Sequence, residues 1–295
     1  MKHITHRWLL ACLLLTSPST TPAAITLVDA SGTRITLATP AQRIVSLAPH
    51  ITELLYAAGA GGQVVGATDY SDYPAAAREL PRVGGYSNID LETILSLRPD
   101  LVVAWKSGNS AAQVNRLRAL GMAVYVSEPR RLDDIPNDIE HLGLLAGRED
   151  SARTAAQQFR QRHAQLAQRY SKRPPVTVFY EIWNPPLMTI NGKQIISDVL
   201  RLCGGVNVFA DLPVLAPTVD VEAVVQKNPE AIFMGDMQKR DTGSDNPWQR
   251  WTSLRAVQAG NLFRIPADLM QRHTPRLLQG AEMLCADLEQ ARARR

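Results

Sequence analysis

A phrase that occurs twice limits this chain more than any other feature. Asp90-Leu-Glu92 opens a short apolar helix-like run, Pro99 follows, and a strand-like Leu101 to Val103 comes next; Asp220-Val-Glu222, Pro229 and Ala231 to Phe233 repeat that order 130 residues later. In each copy the Asp stands where it can cap a helix. The Glu falls in the first turn, where the helix dipole favours negative charge, and the Pro stops the helix before an apolar strand. Matched offsets in the two halves point to one α/β lobe built twice, with Glu92 and Glu222 as equivalent carboxylates that a partner can meet. One copy alone would mean no more than a good helix start.

The rest of the chain agrees with two lobes. Strand-like and helix-like runs alternate through Ile44–Leu47, Ile51–Ala58, Val64–Ala67, the Leu91 helix, Leu101–Trp105, Ala111–Leu120 and Ala123–Val126. They start again at Val176–Tyr180 and continue through Ile196–Cys203, the Val221 helix, Ala231–Met234, a helix before Gly260, Leu262–Ile265 and a closing helix from about Pro275. Such alternation predicts mostly parallel, Rossmann-like sheets covered by helices. Between the halves, Ala152, Ala156, Phe159, Leu166 and Tyr170 recur at helical spacing until Pro174-Pro175 stops them. A helix from Glu149 to Lys172 would span roughly 36 Å at 1.5 Å per residue, enough to cross from lobe to lobe. A single stiff crossing limits hinge motion. The expected organisation is therefore 25–148 for the first lobe, 149–173 for the linking helix and 174–295 for the second lobe.

Residues 1–24 read as a secretory signal peptide: Lys2 and Arg7, an apolar run from Trp8 to Leu15, then small residues up to Ala23-Ala24. A lipid anchor on Cys12 fits less well, because little of the apolar run precedes it. No other stretch approaches the ~20 apolar residues of a membrane span. Cleavage near Ile25 removes two cations and lowers the formal charge from +4 to +2. That balance offers nothing to nucleic acid, and the basic tail Arg292, Arg294, Arg295 reads as a solvated helix end. An exported monomer is expected. Cleavage leaves Cys203 and Cys285; an oxidising compartment favours one disulfide across about 82 residues, with two buried thiols as the alternative.

Catalytic signatures are missing: there is no G-x-S-x-G, no H-E-x-x-H and no phosphate loop. Gly59-Ala60-Gly61-Gly62 follows a helix and reads as its terminating turn. His141 and His163 fall on helix faces, whereas His50 and His273 fall at loops on the sheet edge, where a metal or haem site could be assembled. Tyr70, Tyr73, Tyr86 and Trp105 lie just beyond strand ends, as does Trp183 in the second half. Ligands of open α/β sheets bind at that edge, so these aromatics are candidates to clamp a large flat ligand between lobes. Trp248 and Trp251, at helical spacing, read as core. Asp268 and Arg272, in the loop after Leu262–Ile265, either hydrogen-bond polar substituents on such a ligand or form an internal ion pair.

Several phrases together resemble a known family. They are Ile44-Val-Ser-Leu-Ala-Pro49 with Thr52-Glu53, Tyr70-Ser-Asp-Tyr-Pro74, Leu97-Arg-Pro-Asp-Leu101 leading to Ala104-Trp105, Gly108-Asn109, and Cys203-Gly-Gly with Asn207-Val-Phe209. Over nearly the whole mature chain they resemble the periplasmic cobalamin-binding proteins of bacterial ABC importers, whose wider relatives hold haem or iron-siderophores. The resemblance implies two Rossmann-like lobes on one long helix and a corrinoid in the cleft, with no chemistry done on it. Tyr70, Tyr86 and Trp105 would meet the ligand from the first lobe, and Asp268 and Arg272 from the second, with Trp183 a further candidate. Glu92 and Glu222 would dock on arginines of the permease dimer, and Cys203 would pair with Cys285. Two places depart from the pattern. Ala216 stands where another cleft Trp is expected, and the Trp183 segment aligns only with a shift. Haem or a ferric siderophore is the alternative ligand, and a periplasmic hydrolase the alternative from another class.

Overall fold

The computed structural model describes residues 24–236 and 246–295. The signal-peptide reading, Ala24 apart, lies outside the described residues. The first half opens with an antiparallel hairpin of β1 (Ile25–Val28) and β2 (Arg34–Leu37). There follow β3 (Ile44–Ser46), α1 (Pro49–Ala57), β4 (Val64–Ala67), a small hairpin of β5 (Gly84–Gly85) and β6 (Asn88–Ile89), α2 (Leu91–Ser96), β7 (Leu101–Trp105), α3 (Ala111–Ala119), β8 (Val124–Ser127) and α4 (Asp134–Ala146). Helix α5 (Glu149–Tyr170) leads into the second half. There the order is β9 (Val176–Glu181), α6 (Ile195–Leu202), β10 (Gly205–Asn207), α7 (Val221–Lys227), β11 (Ala231–Asp236), α8 (Arg255–Gln258), β12 (Leu262–Pro266), α9 (Ala267–Met270) and α10 (Leu277–Ala293). Among the described residues no helix is long and apolar enough to cross a membrane.

The duplication is written in the topology. One parallel sheet runs β4-β3-β7-β8 and the other β10-β9-β11-β12, so each half orders its own strands second, first, third, fourth. Helices α2 and α7 also end alike. Arg98 (φ 46°) and Asn228 (φ 44°) turn through the left-handed region directly before Pro99 and Pro229. The proline ring bars the preceding residue from the right-handed helical region, and the left-handed turn is how both copies leave the helix. The copies differ at their starts. Asp90 caps α2, its Oδ1 accepting the backbone N–H groups of Glu92 and Thr93 at 3.1 Å each, but the Asp220 side chain makes no such bond to α7.

Strand side chains alternate between two cores. Ile44 of β3 joins a buried apolar cluster that continues through Phe159, Leu166 and Tyr170 of α5 to Val178, Leu200 and Leu284 of the second lobe. Val45 faces the other way, into a cluster with Val102 and Leu117, and the second lobe has its counterpart around Phe179, Ile232 and Trp248. One core therefore spans the molecule along α5, whose 22 residues span roughly 33 Å, two residues short of the expected end at Lys172. Cys203 and Cys285 are bonded, with S–S 2.01 Å, which removes the two-thiol alternative and ties the end of α6 to α10.

Some local expectations change. Trp248 lies in a turn and Trp251 in the irregular segment after it, not on a helix; Trp248 is nevertheless buried in the cluster with Phe179, its Nε1 satisfied by Glu181 Oε2 at 2.7 Å, and Trp251 packs partly buried against the same cluster. Asp268 belongs to the short helix α9 instead of a loop. His50 lies in the first turn of α1, with Pro49 starting the helix ahead of it. His141 and His163 are packed on their helices, against the Tyr125 hydroxyl at 2.9 Å and Asp133 at 3.2 Å respectively.

Candidate ligand-binding cleft

Residues beyond the carboxyl ends of β7, β8, β9 and β12 converge on a cavity of about 480 Å³ between the lobes. Trp105, Ser107 and Glu128 to Arg130 line it from the first lobe, and Ile182, Lys193 to Ile195, Val214 to Ala216, Gln271 and His273 from the second. Parallel strands end at this edge and their loops splay apart, so a crevice forms there without any dedicated insertion.

The geometry at Trp105 explains why Trp, Gly and Asn occur together. A Cβ on Gly108 would lie 1.8 Å from the Trp105 ring, so only glycine lets the indole fold over this turn. Asn109 fixes the turn from beneath. Its Oδ1 accepts the Trp105 backbone N–H at 2.6 Å, while its Nδ2 donates to the carbonyls of Leu47 at 2.9 Å and Tyr86 at 2.6 Å. Three segments of the first lobe are thereby locked around one indole. The Tyr86 ring stands 5.9 Å from that of Trp105 and is partly exposed.

Two histidines from different lobes meet behind the indole. His50 and His273 have ring centroids 5.4 Å apart, and each lies edge-on to Trp105, at 5.0 and 6.2 Å. Burial holds both below the usual histidine range. His50 lies well below it, with the His273 and Arg272 charges adding to the effect, and His273 falls to about 4. His50 Nε2, His273 Nδ1 and Trp105 Nε1 are enclosed without a hydrogen-bond partner. Nothing local announces this pairing, since the two histidines are 223 residues apart.

Arg272 occupies a seam between the lobes. Its Nη1 donates to Glu53 at 3.1 Å and Asp72 at 2.6 Å, both from the first lobe, and its Nη2 pairs with Asp268 at 2.9 Å. Arg276 holds both oxygens of Glu53, at 2.9 and 2.7 Å, and lies over the Tyr73 ring at 4.0 Å. Burial pushes the Asp72 carboxyl up, but the hydrogen bond and charge of Arg272 outweigh it and leave the group below its ordinary value. The ion-pair reading of Asp268 and Arg272 thus describes this structure, extended by two carboxylates of the opposite lobe.

Of the six residues proposed to meet a ligand, only Trp105 lines the cavity. Tyr70 has a left-handed backbone (φ 63°) and is 78% exposed, its loop fastened by Arg82 Nη1 bonds to the carbonyls of Thr68 and Ser71. Trp183 is 45% exposed and its Nε1 donates to the Pro185 carbonyl at 2.8 Å. The lining that the sequence did not mark comes chiefly from the loops before α6 and α7, which carry no aromatic or catalytic pattern. Ala216, noted as a departure, is part of it. Glu92 and Glu222 stand exposed in the first turns of α2 and α7.

Comparison with known proteins places this arrangement. The periplasmic binding protein family model matches residues 44–269. The vitamin B12-binding protein of Vibrio cholerae is 40% identical over 251 residues, covering 85% of this chain and 90% of its own, and that of Yersinia pestis is 36% identical over 248 residues, covering 84% and 86%. The crystal structure of periplasmic vitamin B12 binding protein BtuF of Vibrio cholerae matches with a TM-score of 0.81 at 40% identity, over 86% of this chain and 98% of that one. Periplasmic heme-binding protein RhuT from Roseiflexus sp. RS-1, at 23% identity and a TM-score of 0.73 over 85% and 99% of the two chains, shares the fold. Because the matched residues take in both sheets, the linking helix and most of the cavity lining, the chain belongs to the periplasmic binding protein family.

Proposed function

We propose that this chain is a periplasmic solute-binding protein that captures cobalamin or a related corrinoid between its lobes and delivers it to an ABC importer. The observation that carries the reading is the interlobe cavity floored by Trp105 on its Gly108–Asn109 turn, in a chain 40% identical to a vitamin B12-binding protein. A rigid indole offers a large apolar face at little conformational cost, and Tyr86 extends that face toward solvent. A corrinoid exceeds the cavity volume, so one side of it fills the cavity and the rest stays at the cleft mouth. There Tyr70 and Trp183, both exposed, and Asp268, with an oxygen to spare beyond Arg272, are the groups proposed to meet it. Arg272 itself acts mainly by holding the seam.

Capture and delivery are the whole of the proposed action; no step on the ligand is required. The two-fold delivery follows from the repeat. Glu92 and Glu222 present one carboxylate per lobe at equivalent helix starts, the geometry that a symmetric permease dimer with basic pockets would accept. The haem alternative needs an axial ligand; His273 lines the cavity but is held neutral by burial, and His50 Nε2 and His273 Nδ1 are enclosed, so the choice between corrinoid and haem falls to the experiment. The test is competition: purified protein incubated with cyanocobalamin, haem and a ferric siderophore together, then desalted and read by its visible spectrum. Retained cobalamin bands are expected, and a haem Soret band in their place would overturn the reading.

A further inference from the structure

Two basic side chains reach the cavity from opposite lobes. Arg130 follows β8 in the first lobe, Lys193 precedes α6 in the second, and Glu128 is the acid that shares the lining with them. Glu128 is already engaged: its Oε2 accepts the Ser107 backbone N–H at 2.9 Å, and its Oε1 lies 3.7 Å from Arg130 Nε. Among the described residues Lys193 has no carboxylate within ion-pair distance. The start of α6 also faces the cavity through Gln194 and Ile195, its first turn already capped by Gln194 Oε1, which accepts the Ile196 backbone N–H at 2.6 Å. Asp198, the acid of that first turn, is spent elsewhere. It accepts the Leu132 backbone N–H at 2.9 Å and pairs with Arg201 at 2.9 Å. Against the apolar remainder, which includes Trp105, Ile182, Leu215 and Ala216, the lining carries one positive charge uncompensated among the described residues.

We infer that this cavity receives a single phosphodiester of the ligand, met by Arg130 from one lobe and Lys193 from the other. The inference rests on the corrinoid reading and deepens it. A complete corrinoid has a periphery of neutral amides and one anionic phosphodiester, in its nucleotide loop; cobinamide lacks the nucleotide and the phosphate together. One excess cation suits one anion, and drawing it from two lobes makes the contact available only when both embrace the ligand. The pair would therefore select complete over incomplete corrinoids. Carboxylates such as those of haem answer the same charges, so the experiment includes haem.

The measurement is the dissociation constant of wild type, Lys193→Gln and Arg130→Gln for cyanocobalamin, dicyanocobinamide and haem at low and high salt. Each variant is expected to lower the ratio of cobalamin to cobinamide affinity about tenfold, the low end for a charge-assisted contact, and added salt should lower the same ratio for wild type. Both residues have solvent-exposed side chains, so melting temperatures should stay at the wild-type value and exclude misfolding. Equal losses for both corrinoids, or no loss for either, would overturn the phosphodiester assignment while leaving corrinoid capture intact. Wild type that binds haem but neither corrinoid would overturn the ligand reading itself.

Discussion

Glu53→Gln isolates the seam that joins the lobes. The Glu53 side chain is 2% exposed and its carboxylate receives three guanidinium hydrogen bonds, one from Arg272 and two from Arg276. Removing one partner of a buried ion pair typically costs about 3–5 kcal/mol, because the other charge is left uncompensated. Here the cost is smaller for a structural reason. Arg272 keeps Asp72 and Asp268, so only Arg276, 17% exposed, loses its acid. A loss of about 2–3 kcal/mol is expected, which for a chain of this size lowers the melting temperature by about 5–10 °C. Thermal and urea unfolding of Glu53→Gln, Arg276→Gln and the double variant would supply a double-mutant cycle. A coupling above ~1 kcal/mol is expected; additivity within ~0.5 kcal/mol, or an unchanged melting temperature, would show that the seam contributes nothing beyond its packing.

Other outcomes follow from the same structure. Trp105→Ala should weaken corrinoid binding by about 1–3 kcal/mol with the fold intact, measured by calorimetry, and an unchanged affinity would remove Trp105 from the site. Glu92→Arg combined with Glu222→Arg should leave corrinoid affinity near wild type yet abolish uptake in vesicles reconstituted with the importer, single reversals falling between; normal uptake by the double variant would return both residues to the role of first-turn acids. Reduction of the Cys203–Cys285 bond should lower stability by roughly 4 kcal/mol on chain-entropy grounds, less any change in the native state, and unreduced peptide mapping should find the two cysteines linked. His273 stays neutral when folded, with its pKa depressed to about 4, so unfolding takes up a proton below about 6.5 and stability is lost as the pH falls through that window. Asp138, raised to about 6 by burial, acts in the opposite direction as the pH rises, so the comparison with His273→Gln is the informative one. Relative to wild type, that variant should gain about 3 kcal/mol between pH 7 and pH 4 in urea titrations, and parallel curves would refute the neutral buried histidine.

What could be read beforehand depended on how local its cause was. The repeated Asp-x-Glu, Pro and strand phrase foretold two sheets with one strand order, because capping, helix stop and strand all act within fifteen residues. The stripe from Ala152 to Tyr170 foretold α5 for the same reason. The seam was not legible: Glu53 and Arg272 are 219 residues apart, and neither has a pattern around it that names the other. His50 with His273 is a similar case. The cavity was legible at its floor, where Trp105 ends a strand, but not in Lys193–Ile195 or Val214–Ala216, whose importance comes from loops folding back over a sheet edge. Trp248 shows the converse. Its burial was foreseen from spacing, yet it reaches the Phe179 cluster from a turn and not from a helix, with Glu181 taking its indole N–H.

The single passage along α5 has a consequence for the order in which the molecule comes together. Every strand of the first sheet lies between residues 44 and 127, and every strand of the second between 176 and 266, so neither sheet waits for chain from the other half. A chain emerging from its amino end can finish the first sheet while the second is still unmade. The inner face of α5, with Phe159, Leu166 and Tyr170, is then left as an apolar ledge on which the second half condenses. Cys203 has no partner until α10 is made, and with no other cysteine in residues 25–295 the late arrival of Cys285 leaves only one bond to form.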